Sequence, residues 1–253
     1  MERLVIAVSY KDNPIEDWLK KKGWTLYDHQ IATLNFIRQG FDVVLHAPTG
    51  GGKTIGGFMP SIYDFVNSNK KSQAFHTLYI SPLKALTADV QRNLLNPINS
   101  LRLDIKVETR TSDTSAYNKE KQIKKPPNFL MTTPESFALL MARQDVIDLF
   151  KDLRFVIIDE LHTFFDSKRG HLLSLNLARL RSIKPFRVIG LSATLKNTDL
   201  AKNYLSNNKD TKLVSTDSRV APEITILKSV NRIPWSGHSP RYALPEIYSE
   251  IQK

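Results

Sequence analysis

The sequence predicts an α/β fold in which a mostly parallel sheet carries helices on both faces. Short apolar runs rich in β-branched residues alternate with longer segments of helical periodicity. The predicted strands are "FDVVLHA", "TLYIS", "DIKVET", "NFLMT", "RFVIID" and "RVIGL". The predicted helices span residues 28–39, 53–66, 84–95, 134–143 and 171–183. Strands that alternate with helices are joined by right-handed crossovers, and ligands then bind beyond the carboxyl ends of the strands.

Turn and capping residues support these elements in order along the chain. Each apolar run ends in turn residues or acids, as buried strands do. The helix over 28–39 is predicted to have Asp28 as its N-cap and Gly40 just past its end. The helix over 134–143 begins with Pro134, and proline is favoured in the first turn of a helix. Residues from about 197 onward are more polar, and "NRIPWSGHSPR" is predicted to be an irregular connector.

Composition bounds the class of protein and its partners. The chain has 253 residues, of which 41% are hydrophobic and 24% charged, as in globular domains. The absence of cysteine excludes disulfides and thiolate metal sites. No signal peptide and no run of about 18 apolar residues is present, so we expect a cytoplasmic protein without a membrane partner. The net charge of +11 favours nucleic acid as a partner, although composition alone supports a merely basic soluble protein equally well.

The stretch "HAPTGGGKT", residues 46–54, is predicted to be a phosphate-binding loop. It lies between a predicted strand and a predicted helix, which is the context that such a loop requires. Glycine lets the backbone approach a phosphate closely, while the lysine supplies a cation and the threonine a Mg²⁺ ligand. The residues expected to hold the nucleotide are Thr49, Gly50, Gly51, Gly52, Lys53 and Thr54. Ala47 stands where the pattern has its first glycine, and a flexible turn is the alternative.

The segment "RFVIIDELH" supplies the second part of the predicted site. A buried strand delivers Asp159 and Glu160 to the carboxyl edge of the sheet. Asp159 is expected to hold Mg²⁺ through water, together with Thr54, and Glu160 to orient and deprotonate the attacking water. Lys53 completes the catalytic set. An acidic pair after an apolar run is by itself more often a solvated strand end, so this prediction depends on the glycine loop.

The order of these motifs resembles the first RecA-like domain of superfamily 2 DEAD/DEAH-type helicases. The matching segments are "APTGGGKT", "SPLKAL", "TTPES", "DELH" and "LSAT", preceded by Gln30. Within that superfamily the chain is most similar to the large helicase-related (Lhr) group and its ligase-associated DNA-repair branch. That similarity is carried by "GWTLYDHQ", "TRTSDTS", "DELHTFFDSKRG", "GLSATLKN" and the later "IPWSGH". The resemblance implies a RecA-like P-loop fold with ATP and Mg²⁺ as cofactors.

The resemblance also implies roles for individual residues. Gln30 corresponds to the glutamine that reads adenine, which would favour ATP over GTP. Ser192 and Thr194 correspond to the link between the ATP state and the grip on the strand. The residues that correspond to nucleic-acid contacts are Ser81, Pro82, Lys84, Arg110, Thr111, Thr133, Pro134, Glu135, Lys168 and Arg169. Most of them would grip the strand backbone without reading bases, and the last two would touch the displaced strand.

Other classes of phosphate-loop protein fit less well. A GTPase would have N-K-x-D, and "NNKD" at residues 207–210 lacks the spacer. The LSGGQ motif of ABC-type ATPases is absent, and no arginine-rich lid of a small-molecule kinase stands out. Two alternatives stay open. One is a non-catalytic, ATP-gated binding module for single-stranded nucleic acid, and the other is an RNA helicase domain.

The resemblance implies an ATP-dependent 3′→5′ helicase or translocase that acts on single-stranded or tailed-duplex DNA in repair. We expect an N-terminal segment with the adenine-reading motif over 1–40 and a RecA-like domain over 41–215. Residues 216–253 would form a final strand and a connector toward a second RecA-like domain in the same parent protein. Only about 60 residues follow "LSAT", too few for that domain. We therefore expect the isolated chain to be nearly inactive as an ATPase.

Overall fold

The computed structural model describes residues 14–68, 75–206, 210–216, 226 and 243–252. The chain divides into two compact units, Met1–Asp217 and Ser218–Lys253. The second unit contains one described helix, which is α10 below. No helix among the described residues is both long enough and apolar enough to cross a membrane.

A seven-stranded sheet forms the centre of the first unit. Its strands in chain order are β1 Asp42–His46, β2 Thr77–Ile80, β3 Val107–Arg110, β4 Phe129–Thr132, β5 Phe155–Ile158, β6 Arg187–Ser192 and β7 Thr211–Ser215. Their spatial order is β3-β4-β2-β5-β6-β1-β7, and every neighbouring pair is parallel. All seven carboxyl ends therefore lie on the same edge of the sheet.

Helices lie before, between and after the strands in the described part of the chain. In chain order they are α1 Pro14–Lys21, α2 Asp28–Arg38, α3 Lys53–Asn67, α4 Lys84–Ser100, α5 Ala116–Lys124, α6 Pro134–Met141, α7 Val146–Phe150, α8 Lys168–Ile183, α9 Thr198–Leu205 and α10 Leu244–Ile251. A short 3₁₀ helix spans Leu161–Phe164. The strands are 4 to 6 residues long and parallel to their neighbours, and helices separate them in the sequence. Each connection between successive strands therefore crosses over one face of the sheet.

Two apolar cores cover the two faces of the sheet. One core packs α2, α3 and α4 against side chains such as Val43, Tyr79 and Ile157. The other packs α6, α7, α8 and α9 against their strand neighbours, such as Val44 and Ile158. Successive strand residues point to opposite faces, and both faces are buried, which explains why the strands are continuous apolar runs. The predicted α/β fold with helices on both faces is confirmed.

The predicted elements differ from the observed ones mainly at their ends. The N-cap of α2 is Tyr27, so the prediction of Asp28 as the cap is wrong; the Gln30 side chain accepts the Tyr27 N–H instead. Helix α4 continues to Ser100, past its internal Pro97, because Leu94 and Ile98 anchor it in the core. The sequence did not predict helices α1, α5, α7, α9 and α10, the 3₁₀ helix or strand β7. The predicted final strand and the "IPWSGH" connector lie outside the described residues.

The strand order divides the carboxyl edge into two halves. The loops after β5, β6 and β1 lie side by side, and we call them the glycine-loop half because the segment after β1 is "APTGGG". The loops after β3, β4 and β2 form the other group, which we call the distal half. The two halves meet where β2 pairs with β5, in a register that places Tyr79 opposite Ile157.

Candidate functional site

The glycine loop makes a tight turn between β1 and α3. Gly50 and Gly52 have φ values of +77° and +72°, in the left-handed region that glycine adopts without strain. A Cβ on Gly51 would lie 2.9 Å from the Pro48 carbonyl oxygen, which is closer than contact distance. Among the described residues no side chain caps α3, and the first turn of this helix contains no acid. The backbone N–H groups at this helix start are therefore free to bind an anion.

Lys53 folds back over this turn. Its ammonium donates to the carbonyl oxygens of Ala47, at 2.8 Å, and Pro48, at 2.9 Å. Burial lowers the pKa of Lys53, while the nearby charges of Glu160 and Asp159 oppose that shift. The structure thus brings together the three side chains predicted to be catalytic. Carbonyl oxygens are weaker partners for an ammonium than phosphate oxygens are, so Lys53 can exchange them for a nucleotide.

The start of α2 supports the glycine loop from behind. Gln30 is 3% exposed, and its Nε2 donates to the Gly52 carbonyl oxygen at 3.0 Å. His29 Nε2 lies 2.8 Å from the Gly51 carbonyl oxygen, and burial lowers the pKa of His29 although that contact opposes the shift. Tyr27 stacks on His29 with ring centroids 5.4 Å apart. Gln30 therefore fixes the loop in this arrangement, and its reading of adenine stays a prediction.

Asp159 lies immediately after β5 and is held from three sides. Its N–H donates to the Ile80 carbonyl oxygen at 2.8 Å. Its Oδ1 accepts the Glu160 N–H at 2.9 Å, and its Oδ2 accepts the hydroxyl of Tyr79 in a very short hydrogen bond. Burial, and next the charge of Asp159, raise the pKa of Tyr79 far above its ordinary value, so the phenol stays protonated and remains a donor.

Glu160 begins a chain of polar contacts that leads to β6. Its backbone is left-handed, with φ +45°, which is uncommon for a residue other than glycine. Its Oε2 lies 3.5 Å from His162 Nδ1, and that nitrogen lies 2.9 Å from Ser192 Oγ. Ser192 Oγ in turn donates to the Thr194 carbonyl oxygen at 2.6 Å. The two residues predicted to couple ATP state to strand grip are thus connected to the carboxylate.

The donors at this edge fit Mg²⁺ when it arrives with a nucleotide. Among the described residues no group of three or more His, Asp or Glu side chains could hold a metal ion alone. Mg²⁺ is commonly bound through one or two carboxylates together with substrate phosphates and water. Asp159 supplies a carboxylate of that kind, and Thr54, in the first turn of α3, supplies a hydroxyl oxygen near the glycine loop.

Several residues of the distal half for which contact with a nucleic-acid strand was predicted are buried. The side chains of Ser81, Pro82, Thr111, Thr133 and Pro134 are buried. Thr111 Oγ1 accepts the Asp113 N–H at 3.3 Å, and Thr133 Oγ1 lies 3.4 Å from Ser136 Oγ. Thr111 and Thr133 thus use their hydroxyls within their own loops, and contact of these residues with a nucleic-acid strand stays a prediction.

Arg110 requires a correction of its expected role. It is 7% exposed, and its Nη1 donates to the Lys119 carbonyl oxygen at 2.9 Å and lies 3.4 Å from Gln122 Oε1. Burial and the charge of Arg143 lower its pKa. The guanidinium therefore faces α5, where it fixes the loop after β3, and it is turned away from solvent. The expected strand contact came from the resemblance of "TRTSDTS" to a strand-contacting element.

Ion pairs connect the three loops of the distal half to each other. Arg169 donates to both carboxylate oxygens of Glu135, at 2.6 and 3.2 Å, and to the Pro82 carbonyl oxygen at 2.8 Å. Burial opposes the shift, but the Arg169 hydrogen bond lowers the pKa of Glu135. Lys84 Nζ lies 2.7 Å from Asp113 Oδ1, and this hydrogen bond lowers the pKa of Asp113.

Three of the four charged residues in these contacts, Lys84, Glu135 and Arg169, are therefore tied to neighbouring loops although a strand contact was predicted for them. Arg169 spans the loops after β2 and β4, and Lys84 spans those after β2 and β3. Lys168, at the start of α8, is exposed. Of Lys168 and Arg169, it is therefore the better placed to contact a nucleic-acid strand. The fold brings together the residues predicted to bind the nucleotide. In the distal half, several residues predicted to contact a strand instead contact neighbouring loops of the protein.

Sequence reasoning missed four side chains at this edge. His29 and Tyr27 lie in the quoted "YDHQ", and His162 lies in the quoted "DELH", so the motifs contained a signal for them. Tyr79 sits inside a predicted strand and gave no such signal, because a tyrosine in a β-rich run is expected from propensity alone.

Comparisons with known proteins agree with this geometry. The family model described as DEAD/DEAH box helicase matches residues 27–202. The ATP-dependent helicase Lhr-Core of Saccharolobus solfataricus is 37% identical over 224 residues, which cover 84% of this chain and 26% of that protein. The Lhr-Core helicase of Methanocaldococcus jannaschii is 36% identical over 234 residues, covering 87% and 28%. The chain thus spans about a quarter of the length of the curated relatives it matches.

Solved structures give the same result. The helicase Lhr of Mycobacterium smegmatis, bound to ssDNA and AMP-PNP, superposes with a TM-score of 0.73 at 32% identity, over 81% of this chain and 28% of that one. The DUF1998 helicase MrfA bound to DNA and AMPPNP gives a TM-score of 0.70 at 28% identity, over 81% and 29%. Mss116p bound to ssRNA and AMP-PNP, at 18% identity and a TM-score of 0.71, shares the fold. The prediction of a RecA-like helicase fold is confirmed.

Proposed function

The chain belongs to the DEAD/DEAH box helicase family, and from that premise we propose that it is the ATP-binding motor domain of an Lhr-type 3′→5′ DNA helicase or translocase. One observation carries the proposal. The parallel strand order β5-β6-β1 places the loop that carries Lys53 on the same edge as Asp159 and Glu160, and the charges of both acids act on Lys53, although more than 100 residues separate them in the sequence. A merely flexible glycine turn would not need two carboxylates placed beside its lysine.

The glycine-loop half would bind Mg·ATP through the groups described above. The uncapped N–H groups at the start of α3 would receive the phosphates, and Lys53 would leave its two carbonyl partners to reach the β- and γ-phosphates. Thr54 and Asp159 would hold the metal, in part through water. When bound, Mg²⁺ neutralises charge that develops on the phosphates during transfer.

Glu160 would carry the chemistry of hydrolysis. Its carboxylate would orient the attacking water and accept its proton, which is the role of a general base. The contact chain through His162 and Ser192 gives this carboxylate a physical connection to the Thr194 backbone, just past the end of β6. A change at the γ-phosphate that moves Glu160 would therefore be transmitted to the segment "LSAT". This supports the coupling role proposed for Ser192 and Thr194.

The distal half would hold single-stranded nucleic acid, and DNA is favoured. The loops after β2, β3 and β4 lie on one edge, held in place by Arg169 and Lys84, and they would contact a strand through hydroxyl and main-chain groups, as the resemblance implies. Contacts of that type go to phosphates and sugars and give little sequence readout. The relative at 32% identity is bound to ssDNA, and the RNA-bound neighbour is only 18% identical. The choice of DNA over RNA rests on that difference.

A second RecA-like domain in the parent protein would complete the catalytic site. We propose residues 1–40 as the segment carrying the adenine-reading motif, 41–215 as the RecA-like domain and 216–253 as the passage toward the second domain. In P-loop enzymes an arginine supplied to the γ-phosphate is worth about 10³- to 10⁵-fold in rate. The polarity of translocation and a role in DNA repair are further parts of this proposal, and they rest on the Lhr-type relationship.

An ATPase assay on two forms of the protein tests the motor against its alternative, an ATP-gated clamp. The 253-residue chain alone should bind ATP but hydrolyse it hardly at all, even with saturating single-stranded DNA. Joining the second RecA-like domain should restore DNA-stimulated turnover by about 10³- to 10⁵-fold.

The matched variant is Glu160→Gln in the joined protein, which should abolish turnover and leave ATP bound. Vigorous DNA-stimulated hydrolysis by the isolated chain, unaffected by this substitution, would overturn both the need for a second domain and the role of Glu160. Stimulation by RNA but not by DNA would instead support the RNA helicase alternative.

A further inference from the structure

Tyr79 connects the two halves of the carboxyl edge. It is fully buried on β2, whose loop belongs to the distal half, and its hydroxyl donates to Oδ2 of Asp159 at the end of β5, in the glycine-loop half. The parallel register of β2 and β5 places Tyr79 opposite Ile157, two residues before the aspartate. The contact thus crosses the strand boundary at which the two halves meet.

The phenol ring is held rigidly, so its hydroxyl has a fixed position. The ring packs on Phe58 of α3 with centroids 5.3 Å apart, inside the core that contains the sheet face and α2 to α4. The Ser81 hydroxyl is buried beside the phenol but makes no hydrogen bond of normal geometry with any described residue. Tyr79 therefore has one strong side-chain partner, which is Asp159.

Both oxygens of Asp159 already accept a proton donor from the protein. Oδ1 accepts the Glu160 N–H and Oδ2 accepts Tyr79. Such partners fix the orientation of a metal-ligating carboxylate, and their loss commonly costs about 10- to 100-fold in metal affinity. Without the phenol, the Asp159 side chain would keep only the local bond to its neighbour's backbone and could rotate.

We propose that Tyr79 is a positioning residue, which holds the Asp159 carboxylate from the neighbouring strand in the orientation that Mg·nucleotide requires. This inference rests on the proposed function, since it assumes that Asp159 serves Mg²⁺. It assigns to β2 a part in the nucleotide site in addition to the loop that β2 contributes to the distal half.

The test is a Mg²⁺ titration of fluorescent ATP-analogue binding to the 253-residue chain. Tyr79→Phe removes one oxygen atom and keeps the ring in the core. The variant should need about 10- to 100-fold more Mg²⁺ for half-maximal enhancement of nucleotide binding. Nucleotide affinity in EDTA should equal that of the wild type, because the glycine loop and Lys53 are unchanged. A merely structural loss would lower both.

Tyr204→Phe is the matched control. Tyr204 is a partly buried tyrosine whose hydroxyl donates to the Gly170 carbonyl oxygen at 2.7 Å on the other face of the sheet. This variant also loses one tyrosine hydrogen bond and should keep the wild-type Mg²⁺ dependence. A double-mutant cycle adds a second measurement: in an Asp159→Asn background, which also removes the negative charge, Tyr79→Phe should have no further effect on the Mg²⁺ requirement.

The outcomes separate this inference from the proposed function. If the wild type shows no Mg²⁺-dependent nucleotide binding, the nucleotide site itself is wrong. If the wild type shows it and Tyr79→Phe has the same Mg²⁺ requirement, the positioning role of Tyr79 is overturned. Additive effects of Tyr79→Phe and Asp159→Asn would overturn it equally, because they would show that the phenol acts elsewhere.

Discussion

The two halves of the carboxyl edge use their side chains in opposite ways. In the glycine-loop half, charged side chains from separate strands converge: Lys53 is influenced by both Asp159 and Glu160. In the distal half, the charged side chains pair with one another across loops, as Arg169 does with Glu135 and Lys84 with Asp113. One half concentrates charge for a ligand, and the other uses charge to hold its loops.

This difference indicates which kind of protein group would recognise the ligand in each half. Nucleotide chemistry needs particular atoms, such as an ammonium and two carboxylates, at fixed positions. A strand grip that does not read bases needs a surface of defined shape, for which main-chain groups suffice. The buried hydroxyls of Thr111 and Thr133 and the inward-facing Arg110 fit a surface of that second kind.

Salt should separate the two halves most strongly. If a strand on the distal half neutralises about three phosphates, the slope of log affinity against log salt is about −2. Raising salt from 50 to 200 mM should then weaken single-stranded DNA binding by more than about tenfold. Nucleotide binding should change less, because Lys53 lies in a partly buried site. Fluorescence titrations of both ligands at each salt concentration check this prediction. An equal salt dependence of DNA affinity and nucleotide affinity would contradict the difference between the two halves.

Gly52→Ala should damage the glycine-loop half alone. Its φ of +72° disfavours any side chain, and the new Cβ would lie 2.5 Å from Gln30 Nε2. We expect nucleotide affinity to fall about tenfold, since the displaced loop loses phosphate contacts. Gly50→Ala is the control: its φ is similarly positive, but nothing lies within 4 Å of the new Cβ. Nucleotide titration of the two variants should rank Gly52→Ala as the weaker binder.

Arg110→Met should reveal a structural role for a residue predicted to bind nucleic acid. The variant keeps a long apolar side chain but removes the donor to the Lys119 carbonyl oxygen. We expect a loss of about 1 kcal/mol in the free energy of unfolding, measured by urea denaturation. Lys168→Met removes the same charge from an exposed position and should leave stability unchanged. Equal stability of both variants would return Arg110 to the list of strand contacts.

Arg169→Ala should have the smallest effect, because its ion pair with Glu135 is about half exposed. We expect single-stranded DNA affinity to fall about threefold as the loops after β2 and β4 loosen, with nucleotide affinity unchanged. Arg154→Ala is the control, since Arg154 also pairs with a carboxylate, Asp64, and lies just before β5, at the opposite edge of the sheet. A similar loss of DNA binding in both variants would indicate a general charge effect.

The residues of the glycine-loop half could be predicted almost completely from the sequence. For the distal half, the sequence predicted which segments form the loops but not what their side chains contact. The strand–"PTGGGKT"–helix context and the acidic pair after an apolar strand name specific atoms, and the sheet topology brings them together. The sequence also predicted correctly which loops lie at the carboxyl edge. It could not predict that Arg110 turns inward or that Arg169 pairs with Glu135, because these depend on the path of α5 and α8.

Tyr79 illustrates the same limit within the core. A tyrosine in a β-rich run has two explanations, packing and hydrogen bonding, and only the pairing of β2 with β5 shows that its hydroxyl reaches Asp159. Likewise, α4 continues past Pro97 because tertiary packing of Leu94 and Ile98 outweighs a local signal to end the helix. Contacts between segments distant in sequence decided each of these cases.

The most direct test of the division compares two lysines that occupy equivalent places. Lys53 and Lys84 are each the first residue of a helix that follows a strand at the carboxyl edge, one in each half. Each is replaced by alanine, and both variants are titrated with Mg·ATP analogue and, separately, with single-stranded DNA. Lys53→Ala should lose at least about tenfold in nucleotide affinity and keep its DNA affinity, while Lys84→Ala should keep its nucleotide affinity. Wild-type nucleotide affinity in Lys53→Ala, or equal nucleotide losses in the two variants, would contradict the assignment of the glycine loop.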